Sequence, residues 1–349
     1  MSKNNISKNN TSKNKEDNLL EQFKEELNII YQNFNESFSN ETLLDSISRY
    51  QIFAGGKRVR PLLIFIVASL FSSKINEPTT NFATSVELLH NATLIHDDII
   101  DDSIVRRSKP TVKEKYGDTK AILSGDYLLA FAFDYAIDLP KKLIVEIKQA
   151  ALRLIQGEFK ELDINLKTAT LNDSLSIMKD KTSSLFSLCA MGGYLLNVKE
   201  NDFDNNLYKE FKKLGELIGV CFQIADDILD ITASKEITGK KQGIDFIEKK
   251  PSIIVSLWLN KKTKLFDTYL NALTVDDTLL KDITLELKEY GIIREAYSYF
   301  DTYYNKANEL LLEIEKNYLQ GYLHDSKSGV AKLQNYLNSI KNYTKTPLK

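Results

Sequence analysis

Two segments of this chain each place three aspartates inside an apolar stretch: Leu94-Ile95-His96-Asp97-Asp98-Ile99-Ile100-Asp101 and Gln223-Ile224-Ala225-Asp226-Asp227-Ile228-Leu229-Asp230. No other feature constrains the fold as strongly. Unpaired carboxylates are costly to bury, and like charges packed together repel and raise each other's pKa. A fold that takes up both segments has to face them with cations. On a helix, residues four apart share a face, so Asp97 pairs with Asp101 and Asp226 with Asp230, while Asp98 and Asp227 point about a quarter-turn away. One such motif reads equally well as a solvated acidic face. Two of them amid Ile, Leu and Ala point to a metal site, and hard oxygen ligands suit Mg2+, which keeps waters and is shared with substrate phosphates.

The surrounding pattern is helical. Leu19, Leu20, Phe23, Leu27, Ile30, Tyr31 and Phe34 recur at spacings of three and four. The spacing predicts long helices over 82–101, 143–166, 206–231 and 297–319, and Pro61 begins another, since proline is tolerated in a first turn. Breakers are few: 14 Gly and 6 Pro in 349 residues, against average usage of roughly 7% and 5%. No alternating strand or βαβ rhythm is visible. Length alone suggests two domains, but no linker divides the chain after residue 18. The expectation is one all-α domain, a bundle of many antiparallel helices over 19–349. It follows a disordered tail over 1–18 that repeats Ser-Lys-Asn units.

Charge and cysteine content exclude other classes. Lys and Arg number 46 against 48 Asp and Glu, so no basic excess calls for nucleic acid or an anionic membrane surface. Cys189 and Cys221 lie in apolar segments, where buried free thiols are expected and no disulfide framework is available. The longest apolar run, Pro61 to Phe71, is short of the ~20 residues that span a bilayer. The polar stretch from Met1 to Asn18 does not read as a signal peptide. These features predict a cytoplasmic protein.

Basic residues supply the complement to the acidic motifs. Gly55-Gly56-Lys57-Arg58-Val59-Arg60-Pro61 sets two glycines before three cations and a helix start, where backbone can approach a phosphate closely. Arg106 and Arg107 follow the first acidic motif. Lys181-Thr182 is predicted to start a helix. Gly239-Lys240-Lys241-Gln242-Gly243 is a glycine-flanked loop that either caps phosphate or is an ordinary polar loop. The three histidines give no zinc site: His90 and His96 do not share a helix face, and His324 lies in a terminal loop. His96 reads as a hydrogen-bonded structural residue. There is no phosphate-binding GxxxxGK[ST] loop for ATP chemistry.

Taken together, these motifs resemble the trans-isoprenyl diphosphate synthases, or polyprenyl synthetases. The likeness runs from about Leu19 to Leu337. It rests on the motif at 55–61, on Leu88, His90 and the acidic run to Asp101, and on Arg106-Arg107. Gly125-Asp126-Tyr127-Leu128-Leu129, Lys181-Thr182, Phe222-Gln223 before Asp226, and the loop 239–250 complete it. The resemblance implies an all-helical homodimer of isoprenoid synthase type around a deep apolar cavity. It implies Mg2+-dependent condensation of isopentenyl diphosphate with an allylic prenyl diphosphate. Asp97, Asp101 and Asp226 would hold metal, with Asp98, Asp227 and Asp230 supporting the metals and their waters. Lys57, Arg60, His90 and Arg107 match positions that bind isopentenyl diphosphate. Arg106, Lys181, Thr182, Gln223, Lys240 and Lys250 match positions on the allylic diphosphate, with Lys181, Thr182 and Gln223 nearest the chemistry.

The chain departs from the family pattern in places. These departures bear on helix packing and loop closure and leave the metal chemistry untouched, and the first is Glu161 where Gln is usual in Gly157-Glu158-Phe159-Lys160-Glu161. Lys241 stands where Pro is common, Ser252-Ile253-Ile254 replaces Thr-Leu-Pro, and the common terminal Arg is missing. In the family the tunnel floor lies about one turn before the first Asp, and here Ala92 and Thr93 occupy it. Small residues there imply a medium- or long-chain product. Phe131 and Phe133 are alternative plugs that would give geranylgeranyl or farnesyl diphosphate instead. A non-catalytic subunit of a heteromeric synthase is a further alternative, although such subunits usually lose an acidic motif.

Overall fold

The computed structural model describes residues 19–39, 41–233, 242–320 and 326–344. The tail 1–18, Gly239, Lys240, Lys241 and His324 lie outside the described residues. Chain order runs α1 (Lys24–Ser37), α2 (Leu43–Ile52), α3 (Val59–Ala68), α4 (Glu77–Ile100), β1 (Val105–Arg106), β2 (Lys109–Pro110), α5 (Val112–Tyr116), α6 (Asp118–Asp134), α7 (Lys141–Asp163) and α8 (Leu171–Met178). A π-helical turn (Lys179–Ser183) follows, then α9 (Ser184–Leu195), a 3-10 turn (Glu200–Asp202), α10 (Asn205–Thr232), α11 (Ile244–Ile247), α12 (Ile253–Leu259), α13 (Lys264–Asn271), α14 (Asp277–Glu289), α15 (Ile292–Tyr318) and α16 (Ser326–Tyr343).

Local chemistry explains the helix starts. Thr42 with Asp45, and Thr170 with Asp173, form reciprocal capping boxes at α2 and α8. Asn76 caps α4 through Thr79 N, and Pro78 sits in its first turn, so α4 begins at Glu77, ahead of the predicted Phe82. The other long helices fall within a few residues of prediction.

The bundle is organised around α3, in which all of Val59 to Ala68 is buried, and α9, in which Ser184 to Tyr194 is buried. Helices apolar all round belong at the centre of a large bundle. The two acidic helices, α4 and α10, pack next to this pair. Cys189 and Cys221 are buried free thiols, as expected. No helix among the described residues is long and apolar enough to cross a membrane.

Two local features depart from the sequence reading. The only strands among the described residues are β1 and β2, an antiparallel two-residue hairpin pairing Arg106 with Lys109. Its tip residues, Arg107 and Ser108, both have positive φ (52° and 60°), the turn whose twist suits a tight hairpin. Lys181 and Thr182 do not start a helix. They lie in the π turn, midway along one helical run from Leu171 to Leu195. Two glycines let neighbouring helices close on that turn. A Cβ on Gly157 of α7 would stand 2.7 Å from Lys181 N, and one on Gly219 of α10 would stand 2.5 Å from Ser183 Cα. Single π turns inside α-helices occur often at functional sites.

Candidate active site

The three aspartates of α4 divide the work. Asp98 is fully buried and accepts Arg106 Nε at 2.7 Å. Asp101 ends the helix and accepts Lys250 Nζ at 2.7 Å. Asp97 lies on the face toward Lys181. Burial pushes its carboxyl up to about 7, and Glu158 and Asp101 add to that, against the pull of Lys181 and Arg106. Such a proton is held only until a stronger cation displaces it.

On α10, Asp226 Oδ1 accepts the Tyr343 hydroxyl at 2.5 Å. Asp227 is buried, accepting Gln223 Nε2 at 2.8 Å and the backbone N of Ile253, at the start of α12, at 3.0 Å. Burial raises its pKa. Asp230 accepts the backbone N–H groups of Ile244 and Asp245 at 3.1 and 3.2 Å, fastening α11 to α10. The middle aspartates, Asp98 and Asp227, thus turn into protein, as the quarter-turn offset predicts. Asp230 departs from the expected pairing, because the N-terminus of α11 engages both its oxygens.

The π turn supplies the groups nearest these carboxylates. Thr182 Oγ1 donates to Gln223 Oε1 at 2.6 Å, so Thr182, Gln223, Asp227 and Ile253 N form one chain. Lys181 Nζ stands 2.6 Å from Glu158 and 2.7 Å from Glu161. Burial alone would lower its pKa, but Glu161, Asp97 and Glu158 outweigh burial and hold it above the lysine range. Lys250 is likewise shared between Asp101 and Glu248, at 2.7 and 2.8 Å.

Glu161 is therefore more than a packing change. Ligand atoms of Asp101, Glu158 and Glu161 lie within 4.8 Å of one another, and the ammonium groups of Lys181 and Lys250 neutralise them. An all-oxygen donor set crowded this closely fits a hard divalent cation. The signal for Glu158 and Glu161 was in the sequence as two acids three residues apart on a helix, but nothing there placed them opposite Asp101.

A second, basic half lies beside the acidic one. Gly55, Gly56 and Arg58 all have positive φ (104°, 137° and 49°) and turn the loop sharply into α3. Gly56 carries no Cβ because Arg107 fills that space, with its guanidinium 3.0 Å from where a Cβ would sit and donating to Gly55 O. Arg60 Nη1 lies 3.1 Å from His90 Nε2. Burial, then Arg60, Arg107, Arg106 and Arg58, hold His90 well below the ordinary histidine range, so it is neutral. Arg60 Nε is buried without a hydrogen-bond partner among the described residues. A buried guanidinium donor left open fits an anion.

Beneath these cations runs an aromatic stack: Phe186 against Phe222 at 5.2 Å, and Phe222 against Tyr343 at 5.4 Å and 19°. Arg60 lies over Phe186 at 4.9 Å and Lys57 over Tyr343 at 3.7 Å. Lys57, Arg60, His90 and Arg107 thus lie in this one half. Arg106 sits on Asp98 and links the two halves. His96 lies 3.6 Å from Asp126 of α6, in keeping with a structural role. Phe133 is 58% exposed and plugs nothing within the chain, while Phe131 is held against Phe38 and Tyr127 at 4.8 and 5.0 Å.

A helical bundle that carries two aspartate-bearing helices, lysines paired with acids and a separate arginine pocket has groups suited to both cations and anions. The chain belongs to the polyprenyl synthetase family, whose model matches residues 41–287. It is a prenyltransferase. It is 34% identical over 226 residues to the all-trans-nonaprenyl-diphosphate synthase (geranyl-diphosphate specific) of Rhodobacter capsulatus, covering 64% of this chain and 68% of that one. It is 35% identical over 225 residues to a geranylgeranyl diphosphate synthase of Methanosarcina mazei, covering 62% and 68%. The crystal structure of heptaprenyl diphosphate synthase from Staphylococcus aureus superposes with a TM-score of 0.81 at 25% identity, over 93% of this chain and 99% of that one.

Proposed function

We propose that this chain condenses isopentenyl diphosphate with an allylic prenyl diphosphate, one in each half of the site. The observation that carries this is the gathering of Asp101 of α4 with Glu158 and Glu161 of α7 around Lys181 and Lys250, next to a pocket where Arg60 Nε is buried and open. Lys181, Lys250 and Arg106 orient the allylic diphosphate, and the family resemblance assigns Lys240 to the same ligand. Asp97, Asp101 and Asp226 would hold Mg2+, supported by Asp98, Asp227 and Asp230. Bound there, such cations supply charge neutralisation for the departing diphosphate.

The allylic carbon–oxygen bond breaks and its electron pair leaves with the diphosphate. Thr182 directs its hydroxyl hydrogen to Gln223 Oε1 in a hydrogen bond, so its oxygen lone pairs face the positive allyl group. Lys57, Arg60, His90 and Arg107 hold isopentenyl diphosphate with its double bond against that carbon. The double bond supplies the electrons of the new carbon–carbon bond, and the proton then lost passes to the released diphosphate. Neutral His90 adds no charge to the arginine pocket and can share a proton in hydrogen bonds.

We further propose a medium- or long-chain product. Ala92 is fully buried, and Thr93 lies on the face of α4 that carries Asp97, so small side chains stand one turn below the reacting end. The exposed apolar side chains Ile155 (67%), Phe159 (68%) and Leu162 (61%) lie along one face of α7, which supports a homodimer formed through α7 and the adjoining α6. The buried free thiols suit a reducing cytoplasm, and residues 19–349 make up one synthase domain. Mass spectrometry of products from isopentenyl diphosphate with each allylic primer, with and without chelator, is the test. Products that form under chelation would sink the metal reading. Ala92→Phe is expected to shorten the product, and an unchanged length would sink the tunnel-floor reading.

A further inference from the structure

The C-terminal helix reaches the active site, and its last turn touches both halves. Three tyrosine hydroxyls dock α16. Tyr336 donates to Val59 O at 2.9 Å, Tyr304 of α15 to Asn338 at 2.6 Å, and Tyr297 of α15 to Thr344 O at 3.0 Å. So docked, α16 delivers Tyr343 between Asp226 and Lys57. The Tyr343 hydroxyl donates to Asp226 Oδ1 at 2.5 Å, its ring stacks on Phe222, and Lys57 Nζ sits 3.7 Å above that ring.

We propose that Tyr343 is a positioning residue that sets Asp226 for metal and Lys57 for the isopentenyl diphosphate, and so joins the two half-sites through one side chain. The proposal rests on the reading of Asp226 as a metal ligand. A donor bound to one carboxylate oxygen fixes the carboxylate's rotamer, and with it the direction in which the group can meet a cation. Loss of such a supporting group typically lowers metal affinity about 10–100-fold. Lys57 is a flexible side chain whose ammonium is attracted to the ring face. The hydroxyl and the ring therefore act on different halves and can be separated by substitution.

The test is isothermal titration of full-length protein with Mn2+ in the presence of inorganic pyrophosphate, alongside steady-state kinetics. Tyr343→Phe keeps the ring and is expected to bind Mn2+ about tenfold more weakly, with the KM for isopentenyl diphosphate unchanged. Tyr343→Leu removes the ring as well and is expected to raise that KM several-fold in addition. Tyr304→Phe removes one docking bond of α16 while Tyr336 and Tyr297 still hold it, and should alter neither readout. If Tyr343→Phe binds Mn2+ like wild type while Asp226→Asn loses it, the proposal is overturned and the ligand reading stands. If Asp226→Asn also binds like wild type, both fall. If Tyr304→Phe reproduces the loss, metal binding follows the placement of α16 and not the Tyr343 hydroxyl, and the proposal fails.

Discussion

Lys181 donates to Glu161 across 2.7 Å, so Glu161 is bonded to the lysine proposed to orient the allylic diphosphate. Glu161→Gln removes one of the carboxylates gathered near Asp101 and leaves Lys181 with Glu158. Less negative charge at the site should weaken divalent-cation binding. The expected outcome is a several-fold rise in the Mg2+ concentration giving half-maximal rate, with fold stability unchanged. An unchanged Mg2+ dependence would return Glu161 to a packing role.

Asp97 gives a pH signature. Its carboxyl stands at about 7 against an ordinary 3.8, because burial and the neighbouring Glu158 and Asp101 disfavour its charge. The metal-free folded protein keeps a proton there that the unfolded chain has released. The stability tied to this group is complete below the unfolded pKa and is lost as pH rises through about 7. Without divalent cations, the denaturation midpoint should fall as pH rises from about 4 to about 7 and level off above that. Mn2+ with pyrophosphate should bind more tightly over the same interval and release protons on binding. Asp97→Asn should flatten both curves.

Arg58 and Glu87 form an ion pair at 2.5 Å, 5% and 3% exposed, and the guanidinium also reaches Tyr31 and Ile52 O. Removing one member of a buried pair costs about 3–5 kcal/mol because the other charge is stranded. Glu87→Ala or Arg58→Ala should lower the unfolding free energy by that order in denaturant titrations. Replacing both, as Arg58→Met with Glu87→Leu, should cost less than either single change. A double variant worse than both singles would contradict this account.

The π turn depends on Gly219. Gly219→Ala places a methyl 2.5 Å from Ser183 Cα, against backbone that cannot swing aside. Overpacking of this kind costs about 1–3 kcal/mol. Because the displaced turn carries Lys181 and Thr182, kcat should fall as well. Wild-type stability with wild-type kcat would mean that the turn does not need this close approach.

The helices were legible because their signals are local. The three-and-four spacing of apolar residues and the scarcity of Gly and Pro each act within a turn or two of chain. The acidic motifs were legible because Asp97 and Asp226 carry their chemistry in their own neighbourhoods. The π turn was missed because a π turn and a helix start share the same local sequence, and what selects between them is the pair of glycines on α7 and α10. The β1–β2 hairpin was missed because two residues show no alternation.

By itself, then, the sequence determined an all-α chain, two aspartate triplets and the cations that answer them. Each of those follows from the covalent order of side chains along a helix. Tertiary structure alone decided that Glu161 would meet Lys181, that Asp230 would fasten α11, and that Tyr343, separated from Asp226 by most of the C-terminal third of the chain, would lie against it. Such contacts join residues far apart in sequence. They are fixed by how the buried faces of α3, α9, α10 and α16 pack, which no local pattern encodes.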